Sequence, residues 1–124
     1  MANKEHINMY LEFRKELDRI CVPKILESSL NVIDIEYEGK KVGILCTDNN
    51  YIDCVYIFPE YRRKGLAKKA ILDWYNSLEN KQVQFHVINE NKTAKKFWES
   101  IFELELIEFD TICALYEIVG VKND

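Results

Sequence analysis

The sequence predicts an α/β fold, a mixed sheet with helices on both faces. Three observations lead there. Apolar residues recur at helical spacing near the start, again after residue 66 and again after residue 93. Between these segments, β-branched, aromatic or alternating stretches cover residues 32–37, 41–46, 51–58, 83–88, 104–109 and 112–119. Their order, ααβββαβαββ, interleaves helices with strands instead of segregating them.

Each element has a local reason. Tyr10, Phe13, Leu17, Ile20 and Cys21 form one face of a helix running from Lys4 or Glu5 to Ile20, with charged residues opposite. Pro23 suits the first turn of a second, shorter helix that reaches Leu26 or Ser28. Residues 32–37 and 41–46 flank Glu38, Gly39 and Lys40, a hairpin with glycine at its turn. Asp48, Asn49 and Asn50 make a tight turn into the central strand, residues 51–58. Pro59 has no N–H for a ladder, so the strand stops there. Ala67, Ala70, Ile71, Trp74, Tyr75 and Leu78 then mark an amphipathic helix ending near Asn80. After the strand at 83–88, Asn89 and Glu90 break the pattern, and Asn91 suits the N-cap of a short helix carrying Ala94, Phe97, Trp98 and Ile101. Two last strands meet near Asp110 and Thr111. No internal repeat or linker interrupts the chain, and its 124 residues are expected to form one domain.

Composition narrows the functional classes. With 48% hydrophobic residues and no low-complexity tract, the chain is expected to be compact rather than disordered. Apolar runs are too short for a membrane span and the first residues do not read as a signal peptide, so a cytoplasmic protein without membrane attachment is expected. A formal net charge of −4 argues against a sequence-independent nucleic-acid binder. Cys21, Cys46, Cys54 and Cys113 lack C-x-x-C spacing and read as buried thiols, with no disulfide and no metal site expected.

Positive charge is concentrated from Arg62 to Lys69, and again at Lys92, Lys95 and Lys96. Arg62, Arg63 and Lys64 precede Gly65, between the strand and the helix. A helix start presents backbone N–H groups with no intrahelical partner, and the helix dipole adds positive potential there. Gly65 lacks a Cβ, which lets a phosphate approach the main chain. The physical reading is a seat for a pyrophosphate, against the alternative of a solvated basic turn.

These residues also resemble a family. Arg62-x-x-Gly65-x-Ala67 is similar to the Q/R-x-x-G-x-G/A signature of the GNAT acetyltransferases, and Asn91-x-x-Ala94-x-x-Phe97-Trp98-Glu99 looks like that family's second signature. The resemblance spans nearly the whole chain and implies the GNAT acyl-CoA N-acyltransferase fold, with the usual opening strand absent or vestigial. It implies acetyl-coenzyme A as co-substrate, held by Val55 and Ile57 on the strand, by Arg62, Arg63, Lys64, Gly65, Leu66, Ala67 and Lys68 in the turn, and by Asn91 and Trp98. It also implies N-acetyl transfer to a small-molecule or peptide amine, by direct attack in a ternary complex. Trp98 stands where a tyrosine often protonates the departing thiolate, and an indole N–H delivers no proton, so that role does not carry over. The usual glycine near Phe102 is missing as well.

A base is still needed, since only a neutral amine attacks a thioester. Asp53 and Tyr51 alternate with Cys54 and Ile52, which puts Asp53 and Tyr51 on one face of the central strand, and His86 on the neighbouring strand is the other candidate. For Asp53 the alternative is a hydrogen-bonded strand residue, and a lone strand histidine is more often structural. Two rival classes stay open: an acyl-coenzyme A sensor with weak catalysis, and a partner-binding domain that retains only the fold. The acceptor is not legible, and monomer and homodimer both fit.

Overall fold

The computed structural model describes residues 3–17 and 30–122. The chain divides into two compact units, Met1–Leu78 and Glu79–Asp124.

The first unit opens with α1 (Lys4–Leu17). Its start is a reciprocal cap: Asn3 Oδ1 accepts from the His6 N–H at 2.9 Å, and His6 Nδ1 accepts from the Asn3 N–H at 3.1 Å. Nδ1 therefore keeps its lone pair and the ring proton sits on Nε2, which donates to Asp34 Oδ1 at 2.7 Å. That bond ties α1 to β1 (Asn31–Tyr37). Burial opposes ionisation of Asp34, but His6 and the Lys41 ammonium at 3.5 Å outweigh it and hold the carboxyl below its ordinary value.

β1, β2 (Lys40–Asp48) and β3 (Tyr51–Ile57) form an antiparallel meander. Tight turns close it, with Glu38 at φ 52, Gly39 at φ 80 and Asn49 at φ 53. Residues 42–47 of β2 are all buried, so both faces of the strand are covered. Met9 and Tyr10 of α1 pack with Ile44, Cys46, Cys54 and Tyr56. α2 (Leu66–Ser77) lies across all three strands with Ile71 and Tyr75 buried. Gly43 shows how close the packing is there. A Cβ at this position would collide with the Tyr56 carbonyl oxygen and come within 2.7 Å of Ile57 Cδ1. Gly43→Ala is expected to cost about 3 kcal/mol, since the obstacle is partly backbone and overpacking typically costs about 1–3 kcal/mol. A urea titration reads this as a lowered midpoint, and an unchanged midpoint would show that the strands shift freely.

The boundaries follow the sequence reading with small corrections. β3 ends at Ile57, and Pro59 starts a short 3-10 turn, Pro59–Tyr61. α2 ends at Ser77 rather than near Asn80: Ser77 Oγ donates to the Trp74 carbonyl at 2.6 Å, and Leu78 is extended. The expected short helix at Pro23 and the last residues of the first expected helix lie outside the described residues.

In the second unit, β6 (Cys113–Val121) pairs antiparallel with β4 (Gln84–Ile88) on one side and β5 (Phe102–Phe109) on the other. α3 (Lys92–Ile101) precedes β5 directly. Phe85, Trp98 and Phe102 stack, with ring centroids 4.3 Å and 6.5 Å from Trp98. β6 starts at Cys113 because the Asp110 carboxylate accepts the N–H groups of Ile112 and Cys113, committing Ile112 to the turn. Leu106, Ile107 and Phe109 are exposed along β5, interspersed with Glu103, Glu105 and Glu108. Among the described residues no helix is long and apolar enough to cross a membrane.

Candidate active site

In the turn between β3 and α2 the main chain is left-handed at two residues. Arg62 is extended, Arg63 takes φ 66 and Gly65 takes φ 76. A left-handed arginine costs about 1–2 kcal/mol, strain of the kind that collects at functional sites. Gly65 is the N-cap of α2: its carbonyl accepts from Lys69 N–H at 3.1 Å, and no side chain caps the first turn. The first-turn amides, of Leu66, Ala67 and Lys68, therefore have no partner within the helix and no capping side chain. A Cβ at Gly65 would meet nothing within 4 Å. The space in front of the glycine is open.

The three cations around this space are exposed but not equally free to move. Arg62 Nε donates to the Ile57 carbonyl at 2.8 Å, and its guanidinium lies 5.3 Å from the Tyr56 ring centroid. Lys64 Nζ lies 5.5 Å from the centre of the Tyr37 ring, which meets Tyr61 edge-on at 6.2 Å. Arg62 is pinned to the end of β3, and Lys64 rests on an aromatic pair. Lys68 is half-buried in the first turn of α2, whereas Lys69 pairs with Asp73 at 2.8 Å.

Upstream, β3 carries the candidate base on an irregularity. Val55 pairs with Leu45 and Ile57 with Gly43, but the register jumps from Cys46 opposite Cys54 to Thr47 opposite Ile52. Asp53 is the extra residue of a bulge. Opposed residues share a face of the sheet, so Tyr51, opposite Asp48, is on the side of Cys54, and Ile52 is on the other side. Strict alternation had put Ile52 and Cys54 together, and the bulge separates them. Asp53 turns toward α1, where its Oδ2 accepts from the Tyr10 hydroxyl at 2.9 Å. Tyr10 is 3% exposed, and Asp53 gives its buried hydroxyl an acceptor. Burial pushes the neighbouring Cys54 thiol well up, reinforced by Cys46 and by the Asp53 charge. A protonated, buried thiol is a poor nucleophile.

In the second unit, His86 is exposed on β4, opposite Leu115. Asn91 caps α3 as expected, its Oδ1 accepting from Ala94 N–H at 3.0 Å. Trp98 is 7% exposed and is committed to the aromatic stack. Among the described residues no group of three or more metal-ligating side chains gathers.

Sequence reasoning overlooked Tyr10, Tyr37 and Tyr61 as neighbours of the site. Tyr10 is legible as an apolar helix residue, but nothing local says that its hydroxyl reaches a residue on β3. Tyr37 ends a hairpin strand, and its meeting with Lys64 is a tertiary contact without a spacing signal.

The sequence profile of the GNAT acetyltransferase domain matches residues 6–101. No curated protein matches the chain. Solved structures share its fold at low identity. A Klebsiella pneumoniae protein assigned as an acyl-CoA N-acyltransferase superposes with a TM-score of 0.71 at 12% identity, over 94% of this chain and 90% of that one. The PaiA N-acetyltransferase of Thermoplasma acidophilum, in complex with coenzyme A, gives 0.59 at 16% identity, over 95% and 80%. Naa50 of Arabidopsis thaliana, bound to a bisubstrate analogue of coenzyme A and a peptide, gives 0.58 at 14% identity, over 94% and 93%.

Proposed function

Since the chain belongs to the GNAT acetyltransferase family, we propose that it transfers the acetyl group of acetyl-coenzyme A to a primary amine by direct attack within a ternary complex. The observation that carries this reading is the turn at Gly65: a left-handed glycine facing open space, with first-turn amides uncapped by any side chain and three exposed cations beside it. In this reading Arg62, Arg63, Lys64 and the amides of Gly65, Leu66, Ala67 and Lys68 hold the pyrophosphate. The main chain at Val55 and Ile57 holds the pantetheine arm. Asn91 and Trp98 contribute from their own unit, Asn91 by opening α3 and Trp98 as part of the aromatic stack.

Asp53 takes the proton of the attacking ammonium, directly or through one water, while Tyr10 holds the carboxylate in place. Tyr51 and His86 are the other acceptors on offer. No positioned acid is needed for the thiol to leave. An alkyl thiol has a pKa of about 8.5, so it departs tolerably as a thiolate near neutral pH, at a cost of roughly 10²–10⁴-fold relative to an acid-assisted step.

Two measurements test the proposal. A ligand that binds only the folded state raises the melting temperature, so acetyl-coenzyme A should stabilise the protein. Thiol release is then followed with peptide N-termini, lysine, polyamines and aminoglycosides, peptide amines first because the Naa50 complex holds a peptide. Stabilisation with release supports the enzyme. Stabilisation without release from any amine favours a sensor, and the absence of both stabilisation and release would rule out a coenzyme A protein. Ionic strength provides a further expectation. The Arg63 and Lys64 contacts are exposed, so affinity for coenzyme A should fall several-fold between low and high salt, where the Debye length drops from about 30 Å to about 3 Å. Salt-independent binding would assign the whole seat to the backbone amides.

A further inference from the structure

Two thiols lie opposite each other beneath α1, and the proposed acyl transfer uses neither. Cys46 and Cys54 are directly paired across β2 and β3. They are 0% and 2% exposed and free of any disulfide. Directly opposed residues in an antiparallel pair have Cα atoms about 4.5 or 5.5 Å apart. Both spacings fall within the roughly 4.4–6.8 Å that a disulfide tolerates. The cover over them is α1, whose Met9 and Tyr10 belong to the same buried cluster. That helix is held at its start by the Asn3–His6 cap and by the His6–Asp34 bond.

We propose that Cys46 and Cys54 are a redox pair that closes into a cross-strand disulfide when α1 opens. With a peroxide as oxidant, one thiolate attacks the O–O bond, forming a sulfenic acid and releasing water after proton transfer. The second thiolate attacks the sulfenic sulfur and expels another water. Overall, two thiols and one hydrogen peroxide give one disulfide and two waters, the sulfurs being oxidised and the peroxide oxygens reduced. In the closed state, burial keeps the Cys54 thiol protonated and shields both sulfurs from the oxidant, so the rate follows the opening of α1. The bond would form next to the bulged Asp53, whose partner Tyr10 is on the same helix. Oxidation state and the Asp53–Tyr10 contact are thereby linked.

The test uses the full chain with Cys21→Ser and Cys113→Ser, so that only this pair remains, treated with hydrogen peroxide under native conditions. The expected product is about 2 Da lighter, shows no free thiol after unfolding and returns to its original mass with a dithiol reductant. His6→Ala removes half the cap and the tie to Asp34, so it should speed the reaction several-fold. Peptide mapping of oxidised wild-type protein provides the same answer if the serine background folds poorly, the expected fragment being a 46–54 crosslink. Three results overturn the proposal: oxygen addition without loss of both thiols, a crosslink only between chains, or closure only in the guanidine-unfolded chain. A rate unmoved by His6→Ala would overturn the gating by α1.

Discussion

Asp53→Asn is expected to lower turnover by roughly 10²–10⁴-fold at neutral pH, the contribution typical of a positioned base. The asparagine keeps the shape and still offers Tyr10 a carbonyl oxygen, so the buried hydroxyl at 2.9 Å retains an acceptor. Coenzyme A affinity should not change, because the proposed pyrophosphate seat is at the other end of β3. Partial recovery at higher pH is expected, since solution then supplies the neutral amine. The competing role for Asp53 is to satisfy Tyr10. In that case Asp53→Asn and Tyr10→Phe should each cost about 1 kcal/mol of stability, with turnover per folded molecule near normal. Melting curves recorded beside the pH–rate profile separate the two roles. A stable, fully active Asp53→Asn protein would remove Asp53 from the mechanism and leave His86, Tyr51 or bulk water as the acceptor.

Gly65→Val should weaken coenzyme A binding by about 100-fold or more, which corresponds to about 2.7 kcal/mol. Two effects of the substitution have to be kept apart. At φ 76 any side chain strains the backbone, and a branched one strains it more. The protein itself leaves the added atoms room, because a Cβ there meets nothing within 4 Å. Loss of affinity would therefore come from the obstructed approach of a phosphate. Gly39 provides the matched control, since it has φ 80 and the same empty surroundings at the β1–β2 turn. Gly39→Val should lower stability comparably and leave binding intact. Equal losses of affinity in both variants, or unchanged affinity in a folded Gly65→Val protein, would dismiss the turn as the anion seat.

The features legible in the sequence were those set by neighbouring residues. Pro59 ends a ladder wherever it stands, Gly65 leaves the main chain uncovered at a helix start, and Asn91 caps α3 through a bond to Ala94 three residues on. The bulge at Asp53 was not legible, because no glycine or proline marks it. It arises from how β3 settles against β2, and it placed Ile52 and Cys54 on opposite faces where alternation had joined them. The early end of α2, with Leu78 already extended, is marked by no proline or glycine. Tyr10 and Asp53 meet across 43 positions of chain, a distance over which helical and strand periodicity carry no information. Trp98 stacks on Phe85 at 4.3 Å, a contact between α3 and β4 for which residue spacing offers no signal.

The meander of the first unit has a consequence for how the chain acquires its structure. β1 meets β2 and β2 meets β3 across tight turns, so each pairing closes a very short loop. Hairpins of this kind form in about 1–10 μs. In the second unit, β4 pairs with β6 from Ile88 opposite Cys113 to Gln84 opposite Glu117, with α3 and β5 intervening. That contact must wait for a far longer loop to close, and long-range pairings of this type slow folding. Synthesis proceeds from the N-terminus at about 5–20 residues per second, slow enough for the first three strands to pair before β6 has been translated. Substitutions at Phe85 or Tyr116, within the late pairing, should then mainly alter the unfolding rate, whereas those at Ile44 or Cys54 should alter the folding rate.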